Sequence, residues 1–253
     1  MRLKVATDSI PFGSDINDVI VPEEMRKKWL TGIDYFDNAL GGQGMTPGAS
    51  MLFTGEPGSG KTTLMLLIAD SCSRHGVVPV FNTAEESLYQ VRATVERLGL
   101  KRGFAVGSET CVEDLLKKCD KFRTNDKNKG KPFLLVVDSL QCMDDGHFTT
   151  GRITCATAER SLEQMTSWGK ENYTNVIAMG QSTKSGQAAG SQKLRHMVDV
   201  VAQLGIEKKD KNFLGYRKLE VEKNRYGGQG RRQFLEMTSK GFIVIAAEEE
   251  DDG

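Results

Sequence analysis

Gly55, Glu56, Pro57, Gly58, Ser59, Gly60, Lys61 and Thr62 follow the spacing GxxxxGK[ST], a pattern suited to cradling phosphate. Its glycines let successive backbone N–H groups curl round an anion, and the positive end of a following helix adds to the pull. Lys61 reaches the β- and γ-phosphates of a bound nucleotide, the Thr62 hydroxyl binds Mg²⁺, and Thr63 belongs to the same cradle. Phosphoryl transfer needs more: a metal held in place and an oriented water. Asp138 closes the apolar stretch Phe133-Leu134-Leu135-Val136-Val137 and is placed to bind the Mg²⁺ shell through water. Glu85 and Glu86 close a second apolar stretch, and one of them can polarise water for attack on the γ-phosphate. Glu85 is preferred, and the doublet leaves Glu86 open. Gln181 ends a third such stretch, where its amide can sense the γ-phosphate; the plainer reading is a satisfied edge amide.

Two further groups of residues suit nucleic acid. The segment 182–193 is rich in Gly, Ser and Ala, carries Lys184 and Lys193, and contains no aromatic residue. That composition suits contact with the phosphates of single-stranded DNA without base readout. A second loop, 144–152, brings Arg152 towards the same channel, with His147 as an exposed loop residue. Lys223 and Arg225, in Lys223-Asn224-Arg225-Tyr226-Gly227, come too late in the chain for a role in its own phosphate loop. Two cations on a turn after a strand can serve as a finger into a neighbouring subunit's γ-phosphate, or simply make a basic hairpin turn. Arg231 and Arg232 are read as solvent-facing.

The elements that must position these residues follow from the apolar pattern. Strands are expected over 50–54, 77–83, 104–106, 133–139 and 175–181, alternating with helices over 63–70, 88–98, 111–123 and 155–169. Alternation of this kind implies a parallel sheet with right-handed crossovers. Its carboxyl edge is where open α/β sheets place their ligands. After 198 the pattern shifts to short strands over 198–206, 216–221, 233–236 and 242–246, read as hairpins continuing the sheet. The fold class is therefore α/β, mainly parallel, flanked by helices, with an antiparallel C-terminal extension. Residues 1–30 form an arm with a short helix starting on Pro22, 31–246 the main domain, and 247–253 an acidic disordered tail. A short helix over 31–40 starts on Thr31 as its cap.

Composition limits the partners. Lys+Arg 34 against Asp+Glu 34 gives no net charge, so nucleic acid must be held by local loops rather than a global field. Five cysteines with no CxxC pair point to buried, reduced thiols. Neither a signal peptide nor an apolar run of 18 residues is present, so the expectation is a cytoplasmic protein without a membrane span. Three scattered histidines make no metal site.

Several segments together resemble the ATPase core of RecA-type proteins. They are Thr31-Gly32-Ile33-Asp34 through Gly41-Gly42, Pro47-Gly48, the phosphate loop, Ala84-Glu85-Glu86-Ser87, Val137-Asp138-Ser139-Leu140-Gln141 and Leu194-Arg195-His196-Met197-Val198-Asp199. Lys223-Asn224-Arg225-Tyr226-Gly227 resembles the KNRFG motif of the RadA/Sms branch. The resemblance runs from about residue 30 to 245. It implies a RecA-like, ATP- and Mg²⁺-dependent, DNA-stimulated motor: a homo-oligomeric ring, usually a hexamer, around single-stranded DNA. Branch migration in recombination and DNA repair, a recombinase partner and a nucleoid location follow from the same likeness. Carried over, Lys61 and Thr62 bind nucleotide and Mg²⁺, Asp138 is the Walker B acid and Glu85 the catalytic base. Lys223 and Arg225 act across the subunit interface and couple it to DNA. The four-cysteine zinc finger and the protease-like domain of that branch are not found here, since residues 1–30 hold no cysteine and the chain ends after the core. Such a stripped core suits a phage or plasmid protein. Gln181 stands where that branch often has histidine. Two other readings share the core: a DnaB-like replicative helicase, and a KaiC-like signalling or scaffold ATPase that does not use DNA. A small-molecule kinase is set aside because no lid insertion is apparent.

Overall fold

The computed structural model describes residues 10–146, 154–181, 192–228, 230 and 232–248. Its strands are β1 (Ser50–Gly55), β2 (Val78–Thr83), β3 (Ala105–Gly107), β4 (Phe133–Asp138), β5 (Asn175–Gln181), β6 (Val200–Ile206), β7 (Arg217–Asn224), β8 (Arg232–Thr238) and β9 (Gly241–Glu248). They form one sheet in the order β3-β2-β4-β5-β1-β6-β7-β8-β9. The six strands from β3 to β6 pair in parallel, and β6 to β9 form an antiparallel meander. The helices are α1 (Glu23–Arg26), α2 (Asp34–Ala39), α3 (Lys61–Arg74), α4 (Leu88–Leu98), α5 (Val112–Arg123), α6 (Cys155–Glu171) and α7 (Gln192–Met197).

The apolar strands read as they do because both faces of the parallel sheet are covered. Met51, Phe53, Val136 and Ile177 face a core shared with α3 and α4. Leu52, Leu135, Val137 and Val176 face a second core shared with α5 and α6. In α3, Leu64, Met65, Leu66 and Ile68 are fully buried, each stabilising the fold by about 1.5–3 kcal/mol. α4 is shallower and needs its ends fixed: Ser87 and Gln90 form a capping box, and Gly99 at φ 70° closes the helix. A left-handed residue at that place is the usual work of glycine.

Several expectations are corrected. The helix expected from Pro22 spans only Glu23–Arg26, since Trp29 leaves it to pair with Met45. Thr31 does not cap α2, whose N-cap is Ile33. Its backbone N–H and its hydroxyl both donate to the buried Asp37 carboxylate, at 2.9 Å each. β7 runs on through Lys223 and Asn224, so Lys223 is a strand residue, not part of a turn. β9 reaches Glu248, into the stretch expected as tail; 249–253 lie outside the described residues. Cys72 and Cys119 are buried thiols, with burial pushing Cys119 up to about 12, whereas Cys155 at the start of α6 is exposed. Among the described residues no helix is long and apolar enough to cross a membrane.

Candidate nucleotide site

The parallel strands end together, and their ends hold the chemistry. Gly55 of β1 pairs with Gln181 of β5, and Thr83 of β2 with Asp138 of β4. Ala84 N–H donates to the Asp138 carbonyl at 2.6 Å, tying the start of the glutamate doublet to the Walker B strand. Lys61, Thr62, Glu85, Glu86, Asp138 and Gln181 consequently line one cleft of about 190 Å³.

Within it, the Thr62 hydroxyl donates to Asp138 Oδ2 at 2.7 Å. Two hard oxygen donors side by side fit Mg²⁺, which takes one or two protein oxygens and fills its octahedron with water and phosphate. Among the described residues no group of three or more His, Cys, Asp or Glu gathers to hold a metal, so an all-protein metal cage is not built here. Lys61 Nζ donates to the carbonyls of Gly55 at 2.9 Å and Glu56 at 3.1 Å, which keeps the ammonium folded over the loop. Burial lowers the Lys61 pKa, against an opposing pull from Asp138 and Glu85. Burial likewise raises Asp138, with Glu85 and Glu86 adding to the rise while the Thr62 hydrogen bond and Lys61 oppose it. Both charged forms are thus held at a cost that a bound metal–phosphate group would relieve.

Gly60 joins the loop to α3 at φ 100°, and a Cβ there would stand 2.7 Å from Phe242 Cζ. Only glycine fits. Ser59 and Thr63 are buried beneath the loop, while Glu85, Glu86 and Gln181 are exposed at its mouth.

Lys223 and Arg225 are not brought to this cleft. Val200 pairs with Met51 on one side and with Asn224 on the other, so both cations lie at the amino edge of β1, roughly 13 Å of strand from Gly55. Lys223 Nζ donates to the carbonyls of Arg195 at 2.9 Å and Val198 at 2.6 Å. Arg225 pairs with buried Asp199 at 3.3 Å, and its side chain is 50% exposed. Lys193 sits in the first turn of α7 and pairs with Glu159 of α6 at 2.6 Å. Lys184, Arg152, His147, Arg231 and the segment 182–191 lie outside the described residues. Arg232 is not simply solvent-facing, since it bonds Glu220 at 2.7 Å.

Sequence reasoning missed the residues that reach the loop from the antiparallel side. Arg217 of β7 bonds the Ser59 carbonyl, and Lys208 pairs with Glu56 at 2.7 Å. No motif marks either: Lys208 lies just beyond β6, whose Leu204 pairs with Gly55, and Arg217 opens β7 opposite Ile206 of β6.

Residues 29–103 match the family described as ATPase: KaiC. Over 224 residues the chain is 34% identical to the DNA repair protein RadA of Aquifex aeolicus, covering 88% of this chain and 47% of that protein. The DNA repair protein RadA of Haemophilus influenzae is 31% identical over 219 residues, covering 86% of this chain and 45% of its own length. The chain spans about half the length of these curated relatives. Among solved structures, a KaiC-like protein of Pyrococcus horikoshii matches at a TM-score of 0.70 and 19% identity, over 87% of this chain and 99% of its own. That likeness is one of fold.

Proposed function

We propose that this chain, which carries a RecA-type ATPase core similar to that of RadA proteins, hydrolyses ATP with Mg²⁺ and couples turnover to DNA. The observation that supports this reading best is the convergence of Lys61, Thr62, Asp138, Glu85 and Gln181 on one cleft, with the Thr62–Asp138 contact at 2.7 Å. Mg²⁺ bound there supplies charge neutralisation on the outer phosphates. Lys61 adds a second positive group, and Glu85 orients the water. Glu85 is favoured over Glu86 because it directly follows Ala84, whose N–H is tied to the Asp138 carbonyl at 2.6 Å. Gln181, in register with Gly55, reports the γ-phosphate to the segment that follows it.

The finer reading is a motor on single-stranded or branched DNA, a helicase or branch-migration enzyme of recombination and repair in the cytoplasm, at the nucleoid. Lys184, Lys193 and Arg152 hold the strand. Arg225 reaches outward to a neighbouring copy's nucleotide while Lys223, bonded inward to two carbonyls, anchors it. That arrangement calls for a ring, a hexamer by likeness to the family, working beside a RecA-type recombinase. A second reading, a KaiC-like ATPase that does not act on DNA, draws on the match over 29–103.

Steady-state ATP hydrolysis with and without single-stranded DNA, with Lys61→Ala as the blank, separates the two. Several-fold stimulation that disappears in Arg225→Ala supports the motor. Unstimulated turnover with no salt-sensitive DNA binding supports the second reading.

A further inference from the structure

The outer wall of the phosphate loop is built from the antiparallel meander. Arg217 Nε donates to the Ser59 carbonyl at 3.2 Å, Nη1 to the Gly215 carbonyl at 3.1 Å, and Nη2 faces the Gly58 carbonyl at 3.5 Å. Met237 Sδ lies 3.7 Å from the same guanidinium. Met237 and Phe242 also stand closest to the place a Gly60 Cβ would occupy.

These contacts bear on how the cradle works. A trans peptide is planar and points its C=O and N–H in opposite directions. A phosphate cradle needs its N–H groups turned inward, so the matching carbonyls must turn outward, away from the ligand. Gly60 at φ 100° has no side chain to resist a flip of the Ser59–Gly60 peptide, and glycine accepts either arrangement readily. A cation on the outside that captures the Ser59 carbonyl removes that freedom and leaves the Gly60 N–H facing the phosphates. The neighbouring Gly58–Ser59 peptide is held as well: its N–H donates to the Glu56 carbonyl at 3.1 Å, and its C=O faces Arg217.

We propose that Arg217 is a positioning residue of the phosphate cradle, fixing the peptides on either side of Ser59 so that the loop is already shaped for a polyphosphate before it arrives. The inference rests on the nucleotide-binding reading above. Within the phosphate loop Arg217 touches the Ser59 and Gly58 carbonyls alone, so it is not a catalytic group. The planar fork suits arginine, since lysine offers one point charge in place of several fixed donors. The ligand class is any chain of phosphates, whatever base it carries.

The test measures Kd for ATP, ADP and inorganic tripolyphosphate in wild type, Arg217→Met and Arg217→Lys, with the ligand-free thermal midpoint of each. Arg217→Met is expected to weaken all three ligands together by about tenfold, the loss of one charge-assisted hydrogen bond. Its ligand-free midpoint should stay near wild type, and Arg217→Lys should fall between the two. Unchanged affinity in Arg217→Met overturns the proposal, as does a lower midpoint with unchanged affinity, which leaves Arg217 a structural residue. Weakened ATP and ADP with unchanged tripolyphosphate also overturns it, because Arg217 would then read the nucleoside. If wild type binds none of the three, the nucleotide-binding reading itself fails.

Discussion

The Asp199 carboxylate lies 3.3 Å from the Arg225 guanidinium, at the edge of the sheet opposite Lys61. Asp199 is fully buried, and its other oxygen accepts from the Ser50 N–H at 3.1 Å and the Ser50 hydroxyl at 3.0 Å. One carboxylate therefore fixes the start of the phosphate-loop strand and the orientation of Arg225. Asp199→Asn is expected to lower stability by about 2 kcal/mol, since a buried charge network loses its centre. Urea unfolding measures this. The same variant should lose DNA-stimulated turnover to the extent that Arg225→Ala does.

The Thr62 hydroxyl, 2.7 Å from Asp138 Oδ2, is the proposed direct protein ligand of Mg²⁺. Thr62→Ala should lower Mg²⁺-dependent hydrolysis by about tenfold or more, while Thr62→Ser, which keeps the hydroxyl, should stay close to wild type. Titration of turnover with Mg²⁺ checks the pair.

The buried site predicts a trade between stability and activity. Burial raises the folded-state pKa of Asp138. A carboxyl raised in this way stabilises the fold when protonated, below its unfolded pKa, and that contribution is lost as pH rises through the folded pKa. At neutral pH the ionised Asp138 therefore costs stability in the ligand-free protein. Asp138→Asn cannot ionise. Its thermal midpoint should exceed that of wild type at neutral pH, the gap should close as pH falls through the carboxylate range, and hydrolysis should be abolished. Melting curves across pH read the gap directly.

Gly60→Ala meets both a left-handed backbone at φ 100° and Phe242 at 2.7 Å. Strain at such a position costs about 1–3 kcal/mol, and the loop is where it must be absorbed. Nucleotide affinity should fall together with the thermal midpoint, measured by differential scanning fluorimetry with and without ATP.

Much of this was legible in the sequence because the signals are local. Phosphate loop, Walker B acid, glutamate doublet and Gln181 each end an apolar stretch of five to seven residues, and parallel strands buried on both faces must end at one edge. The antiparallel meander was less legible. β7 buries only Leu219 and Val221 and β9 only Gly241, the rest being half-buried or exposed, so their ends fade into the turns. Lys223 thus reads as a turn residue although it is paired in β7 with Val201. Arg217 and Lys208 carry no motif, because their partners are backbone carbonyls and a carboxylate about 150 residues earlier in the chain. Thr31 misled for a different reason: its hydroxyl donates to the buried Asp37 carboxylate and accepts from the N–H of Ile33, the N-cap itself, so it stops short of the first turn of α2.

The most direct test compares ATP binding and ATP hydrolysis on the same samples of wild type, Glu85→Gln and Glu86→Gln. The account predicts that all three bind ATP with similar affinity, that wild type and Glu86→Gln hydrolyse it, and that Glu85→Gln does not. Hydrolysis by Glu85→Gln at the wild-type rate would contradict the assignment of the cleft's catalytic base, and absence of hydrolysis by wild type, with and without DNA, would contradict the ATPase reading as a whole.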